Sequence, residues 1–188
     1  MKCLLCDRLS LIHICRECQK KHLSPTIKER KTADGFSIYT FYSYSEIELF
    51  LKTKHKYIGY YIYRILAKNS FSLFAKEFEE RAYVVGIDDV AVSGYSHTAI
   101  LAKAMKTKNI KPLYGSLRAE NKVSYSGQSL EFRLKNPRNF QYRGKKGIDI
   151  ILLDDVITTG LTISEAVGVL RKEGCSPLFA LTLADAKR

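Results

Sequence analysis

The sequence predicts a mixed α/β fold: a parallel sheet flanked by helices, preceded by a small N-terminal four-cysteine finger. Three observations carry that expectation. Residues 82–105 and 147–174 each run from a nearly uninterrupted apolar segment through a short loop into an apolar-faced helix, the strand–loop–helix unit of a parallel sheet buried on both faces. A last apolar segment, 178–183, adds a closing core strand. Four of the five cysteines fall within the first eighteen residues, in two C-x-x-C pairs.

A chain of 188 residues can bury one full core and carry a small appendage. Its 46% hydrophobic content is that of a globular protein. No apolar run reaches transmembrane length, and the start, Met1-Lys2-Cys3, is unlike a signal peptide, so a cytoplasmic protein without stable membrane insertion is expected. The net charge of +12 favours polyanionic partners, and a polyphosphate ligand and a nucleic acid fit it equally.

Cys3, Cys6, Cys15 and Cys18 can turn four thiolates toward one point, which predicts a closed, structural tetrahedral zinc site within a finger spanning 1–24. His13 and His22 are substitute ligands, and an iron–sulfur cluster is the alternative centre. Cys175 stands apart and reads as a small core residue. The charged stretch around Pro25 reads as a linker over 25–35, and 36–188 as the main domain. Residues 36–42 alternate like a strand, and 45–67 read as one helix, or two broken near Gly59. Lys52, Lys54 and Lys56 precede Tyr57, Tyr60, Tyr61 and Tyr63. That mixture suits single-stranded nucleic acid, and it equally suits an amphipathic helix with its tyrosines packed inward.

In the first strand–loop–helix unit, the strand 82–87 leads to Asp88 and Asp89, Gly94 opens a turn, and 98–105 form the helix. A short strand is expected within 111–115. Residues 116–143 are basic, aromatic and weakly periodic, with Arg118, Lys122, Arg133, Arg138 and Arg143 as candidate DNA contacts. Such an insertion reads as a lid over a reactive ligand, as a nucleic-acid surface, or as a solvated loop.

The second unit is the most specific. Its strand ends in Asp154 and Asp155, followed by Val156, Ile157 and the small-residue loop Thr158-Thr159-Gly160-Leu161-Thr162. Thr162 and Glu165 have capping-box spacing, which predicts Thr162 as the N-cap; Ile163, Ala166, Val167 and Leu170 form the apolar face, and Gly174 ends the helix. A loop of small residues at a helix N-terminus can close backbone N–H groups around a phosphate. Two carboxylates would repel that phosphate, but they suit the hydroxyls of a sugar beyond it, or a divalent metal beside those hydroxyls. The pattern describes a ribose 5-phosphate site. A Walker B strand also ends in acids, but its G-x-x-x-x-G-K-[ST] partner is absent from the sequence.

Residues Ile150-Ile151-Leu152-Leu153-Asp154-Asp155-Val156-Ile157-Thr158-Thr159-Gly160-Leu161-Thr162 resemble the phosphoribosyl pyrophosphate (PRPP) signature of type I phosphoribosyltransferases. Together with the cysteine pairs, the Gly94-Tyr95-Ser96-His97 segment and the spaced Gln128, Leu130, Arg133, Asn136 and Phe140, they make the chain similar to the ComF competence proteins. The resemblance implies a type I phosphoribosyltransferase-like sheet, a structural Zn²⁺ in the finger, and PRPP bound with Mg²⁺ at 154–162. It also implies a cytoplasmic role, peripheral to the inner membrane, in natural transformation: importing and handling single-stranded DNA with competence helicase and DNA-processing partners. Where the family carries V-P-V-P and arginines facing pyrophosphate, this chain has Ile87 to Ser93 with Asp88, Asp89 and Ser93 as the candidate pyrophosphate region and no basic residue. Binding without turnover and an active transferase or PRPP hydrolase both stay open.

Overall fold

A computed structural model describes residues 1–87, 94–121, 123 and 129–186. A six-stranded sheet forms its centre, built from β1 (Lys28–Lys31), β2 (Ser37–Ser43), β3 (Ala82–Gly86), β4 (Ile110–Pro112), β7 (Asp149–Ile157) and β8 (Ser176–Asp185) in the order β1-β2-β8-β7-β3-β4. Only the edge strand β1 runs antiparallel to its neighbour; the other four pairings are parallel. The expected α/β class is therefore observed.

The central strand β7 explains why its sequence is so apolar. Ile150, Ile151, Leu152 and Leu153 are all fully buried, and they alternate between two cores. Ile151 and Leu153 face the larger one, made with α2 (Tyr44–Leu51), α3 (Tyr57–Asn69), α4 (Phe71–Glu77) and α5 (His97–Ala104). Ile150 and Leu152 face the smaller one, where Ile163, Ala166, Val167 and Leu170 of α7 (Leu161–Lys172) meet Leu117, Phe140 and Tyr142. Those last three belong to a two-stranded hood, β5 (Leu117–Ala119) with β6 (Phe140–Tyr142), joined through a stretch that includes α6 (Leu130–Lys135). Truncating any of the buried β7 aliphatics to alanine should cost about 2–5 kcal/mol.

The connection from β3 leads through α5 outward to β4, whereas that from β7 leads through α7 to β8 on the other side. The chain thus reverses its winding between β3 and β7, and the crevice outside their carboxyl ends is where such sheets bind ligands.

The finger is packed onto this body. Cys3, Ile14, Cys18 and Leu23 join the larger core. The Tyr42 hydroxyl donates to the Leu23 carbonyl at 3.0 Å, Asn69 Nδ2 donates to Gln19 Oε1 at 2.9 Å, and His13 stacks on Tyr61 at 4.8 Å between centroids.

Several local expectations change. The charged stretch read as a linker contains β1, paired along its length with β2 and tied across the sheet by an Arg30–Asp185 ion pair of 2.9 Å. Asp185 is the last residue of β8. The break in the long helix falls at 52–56, ahead of Gly59, because the Tyr95 hydroxyl donates to the Lys54 carbonyl at 2.6 Å and pins the turn. Gly59 sits against that turn: a Cβ there would collide with the Thr53 carbonyl and the Tyr95 hydroxyl. The N-cap of α7 is Gly160 and not Thr162, since Gly160 adopts φ +85°, a left-handed conformation that favours glycine, and starts the helix two residues earlier. Glu165, freed from a capping role, accepts the backbone N–H groups of Arg138 (3.2 Å) and Asn139 (2.7 Å) and so fastens the hood to α7. Asp88, Asp89, Ser93, Lys122 and Gln128 lie outside the described residues.

Candidate functional site

β7 delivers Asp154 and Asp155 to the crevice at the winding reversal, and the two carboxylates differ sharply. Asp155 is buried, and its Oδ2 accepts from Lys54 Nζ and from the Tyr63 hydroxyl, each at 3.1 Å, with His97 Nε2 at 3.7 Å. Burial alone would raise its pKa, but His97, Lys54 and Tyr63 together outweigh that and hold it well below the ordinary carboxylate range. Asp154 is half-buried. Burial, and then the charge of Asp155, push its carboxyl well above the ordinary value, while its Oδ1 accepts the Asp155 N–H at 2.8 Å. One acid is locked as an anion in a cage of donors, and its neighbour is poised to gain a hydrogen-bonding or charged partner.

Beyond the acids, Val156 and Ile157 finish the strand, pairing with Ala184 and Asp185 of β8. Thr158 and Thr159 are exposed, Gly160 turns the chain without a capping side chain, and Leu161 and Thr162 form the first turn of α7, where the Leu161 N–H makes a long 3.4 Å bond to Thr159 Oγ1. The amides of a helix's first turn, with its dipole, are the kind of group that can take an anion. From α6, Arg133 Nη1 donates to Thr158 Oγ1 at 2.6 Å and brings a guanidinium beside that loop.

The structure therefore joins the sequence-predicted acids and loop with three residues that the sequence had assigned elsewhere or passed over. Lys54, a candidate DNA contact, is the counter-ion of Asp155. Tyr63, one of four clustered tyrosines, is fully buried on the same carboxylate. His97 sits in the Gly94–His97 segment, whose family resemblance was the available signal. Of the other candidate DNA contacts, Lys52 pairs with Glu48 at 2.7 Å on the surface, and Lys56, Arg118 and Arg143 are exposed. Arg138 is buried at 9% exposure; burial lowers its pKa against the opposing pull of Asp154, Glu165 and Asp155.

In the finger, the four Sγ atoms of Cys3, Cys6, Cys15 and Cys18 lie within 4.8 Å of one another, with Cys6 and Cys15 3.8 Å apart. A tetrahedron with Zn–S bonds of about 2.3 Å has edges of about 3.8 Å, so the donor set fits a tetrahedral metal. Burial pushes the Cys3 thiol up, but the N–H groups of Cys15, Leu5 and Cys6 win and bring it to about 6, toward the thiolate a metal needs. Cys18 goes the other way, to about 12, through burial and the crowding of its fellow thiols. That crowding is what a bound cation relieves. Among the described residues no helix is long and apolar enough to cross a membrane.

No family model matches the chain. It is 38% identical over 68 residues to the orotate phosphoribosyltransferase of Coccidioides immitis, covering 36% of this chain and 29% of that protein. It is 43% identical over 42 residues to the transcriptional regulator GfcR of Methanosphaera stadtmanae, covering 22% and 21%. The chain thus spans less than a third of the length of either relative. Among solved structures it is similar to an adenine phosphoribosyltransferase (TM-score 0.45, 15% identity, covering 89% of this chain and 88% of that one). It is also similar to the orotate phosphoribosyltransferase of Aeropyrum pernix (0.37, 20%, covering 90% and 80%) and a hypoxanthine phosphoribosyltransferase of Staphylococcus aureus (0.42, 15%, covering 65% and 62%).

Proposed function

We propose that this chain binds PRPP at residues 154–162 and acts in natural transformation, coupling that site to the handling of incoming single-stranded DNA. One observation carries the PRPP assignment: an acid pair near the end of the central strand, two residues before a loop and an α7 N-terminus that starts at a left-handed glycine with no capping side chain of its own. The loop and first-turn amides would hold the 5-phosphate, and Asp154 the ribose hydroxyls. Mg²⁺ suits this donor set, since it is commonly held by one or two carboxylates together with substrate phosphates. It would supply charge neutralisation of the pyrophosphate beside the acids. Arg133, already bonded to Thr158, supports a basic cover over the same loop.

The transformation role is supported by the resemblance of the finger and signature to the ComF proteins and by the +12 charge. The finger would hold zinc as a structural ion, with helicase and DNA-processing proteins as partners at the cytoplasmic face of the inner membrane. Binding of single-stranded DNA should weaken steeply with salt, as counterion release requires; binding unchanged between low and moderate salt would remove the DNA half of the proposal.

A second reading, an active transferase or PRPP hydrolase, has one feature in its favour: His97 places a titratable ring beside Asp155 in the crevice. Release of pyrophosphate from PRPP with Mg²⁺, alone or with a panel of nucleobases, would select it. Binding without release would leave the site as a sensor.

A further inference from the structure

A second cavity, of about 490 Å³, opens between α3 and α5, and none of its lining residues belongs to the acid pair or the 158–162 loop. Its size is that of a small-ligand cleft. Ala67, Ala99 and Ala104 line it with short side chains that take up little of its space. Tyr60 and Tyr95 meet edge to face in its wall with centroids 6.0 Å apart, and Tyr114, 56% exposed, stands near them. Arg64 and Lys68, one turn apart on α3, and Lys103 on α5 bring three cations to the same opening, with Arg64 lying over the Tyr60 ring at 5.6 Å. Among the described residues no carboxylate lines the cavity and none pairs with these three cations.

A cleft with aromatic walls, an aliphatic floor and an uncompensated cationic rim selects a ligand with a flat ring and a compact negative charge. We propose that it binds a nucleoside 5′-monophosphate, the base against the tyrosines and the phosphate on Arg64, Lys68 and Lys103. Aromatic stacking accounts for the base without specifying which one, and the exposed cations account for the phosphate.

The proposal does not depend on the PRPP assignment, and its test keeps the two apart. Adenosine 5′-monophosphate is titrated by calorimetry into the full, zinc-loaded chain, with and without saturating PRPP and Mg²⁺, in wild type and in an Arg64→Glu, Lys103→Glu variant. Both positions are exposed, so the variant should keep the wild-type melting temperature. The expected result is binding that persists when PRPP is present and weakens at least about tenfold in the variant, whose PRPP affinity stays unchanged. Adenosine and inorganic phosphate should each bind at least about tenfold more weakly than the nucleotide. Binding that the variant leaves intact, or that PRPP displaces, would put the nucleotide at the phosphate loop and overturn the proposal. So would no binding at millimolar nucleotide, or binding confined to oligonucleotides, which would make the cavity part of a strand-binding surface.

Discussion

The two strand–loop–helix units that flank the crevice begin their helices in opposite ways. At the start of α5, Ser96 Oγ accepts the Ala99 N–H at 3.0 Å, an ordinary N-cap that satisfies the helix from within. α7 starts at Gly160, which brings no capping side chain, and its first turn has only a long 3.4 Å bond from the Leu161 N–H to Thr159 Oγ1. The β3–α5 junction is also tight: a Cβ on Gly86 would lie 2.8 Å from Thr98. The first helix is capped by its own serine, whereas the second begins at a glycine with no cap of its own. Two similar sequence patterns thus begin their helices differently, and the proposed phosphate position falls on the one without a capping residue.

Substitutions can break or sharpen that contrast. Gly160→Val should have the largest effect. A β-branched residue at φ +85° reshapes the loop, and PRPP affinity should fall about 100-fold or more, equivalent to about 2.7 kcal/mol by calorimetric titration. A variant that binds PRPP like wild type would deny the loop its role.

Lys54→Met comes next, because it leaves Asp155 buried with only Tyr63 and His97. Losing one partner of a buried pair costs about 3–5 kcal/mol; Lys54 is 34% exposed, so solvent screening brings the expectation to about 2 kcal/mol in urea unfolding. Adding Asp155→Asn should recover most of the loss.

The acids should also respond oppositely to pH. The depressed Asp155 contributes stability that is present above its unfolded pKa of about 3.9 and is lost as pH falls toward its lower folded value. The raised Asp154 contributes stability only below that unfolded value, and loses it as pH rises through its higher folded pKa. At neutral pH Asp154→Asn should therefore stabilise the apoprotein, by about 3 °C in Tm for each kcal/mol gained at this chain length, while weakening PRPP binding. A lower Tm would show that Asp154 is not under the strain its burial implies.

Ser96→Ala should do least, removing about 1 kcal/mol of stability and leaving PRPP affinity untouched. Its indifference to ligand is the control for Gly160→Val.

Much of this was legible in the sequence, for a physical reason. β7 is buried on both faces, so its apolar run and closing acids survive as a continuous signal, and four cysteines in eighteen residues have few uses other than a metal. The partners of Asp155 were not legible, because Lys54, Tyr63 and His97 come from positions 58 to 101 residues away and meet only through the packing of α3 and α5. The cap of α7 was misplaced because Thr162 and Glu165 satisfy a local spacing rule that a tertiary contact overrides: Glu165 binds the hood. β1 went unseen because an exposed edge strand needs no apolar alternation, and its four residues are all charged.

The central claim is that the acid pair and the loop beside it form a PRPP site, and titration of PRPP with Mg²⁺ into wild type and an Asp154→Ala, Asp155→Ala variant tests it most directly. The account predicts saturable, Mg²⁺-dependent binding to the wild type that the variant loses while keeping its fold. No binding to a folded, zinc-loaded wild type, or equal binding to the variant, would contradict it.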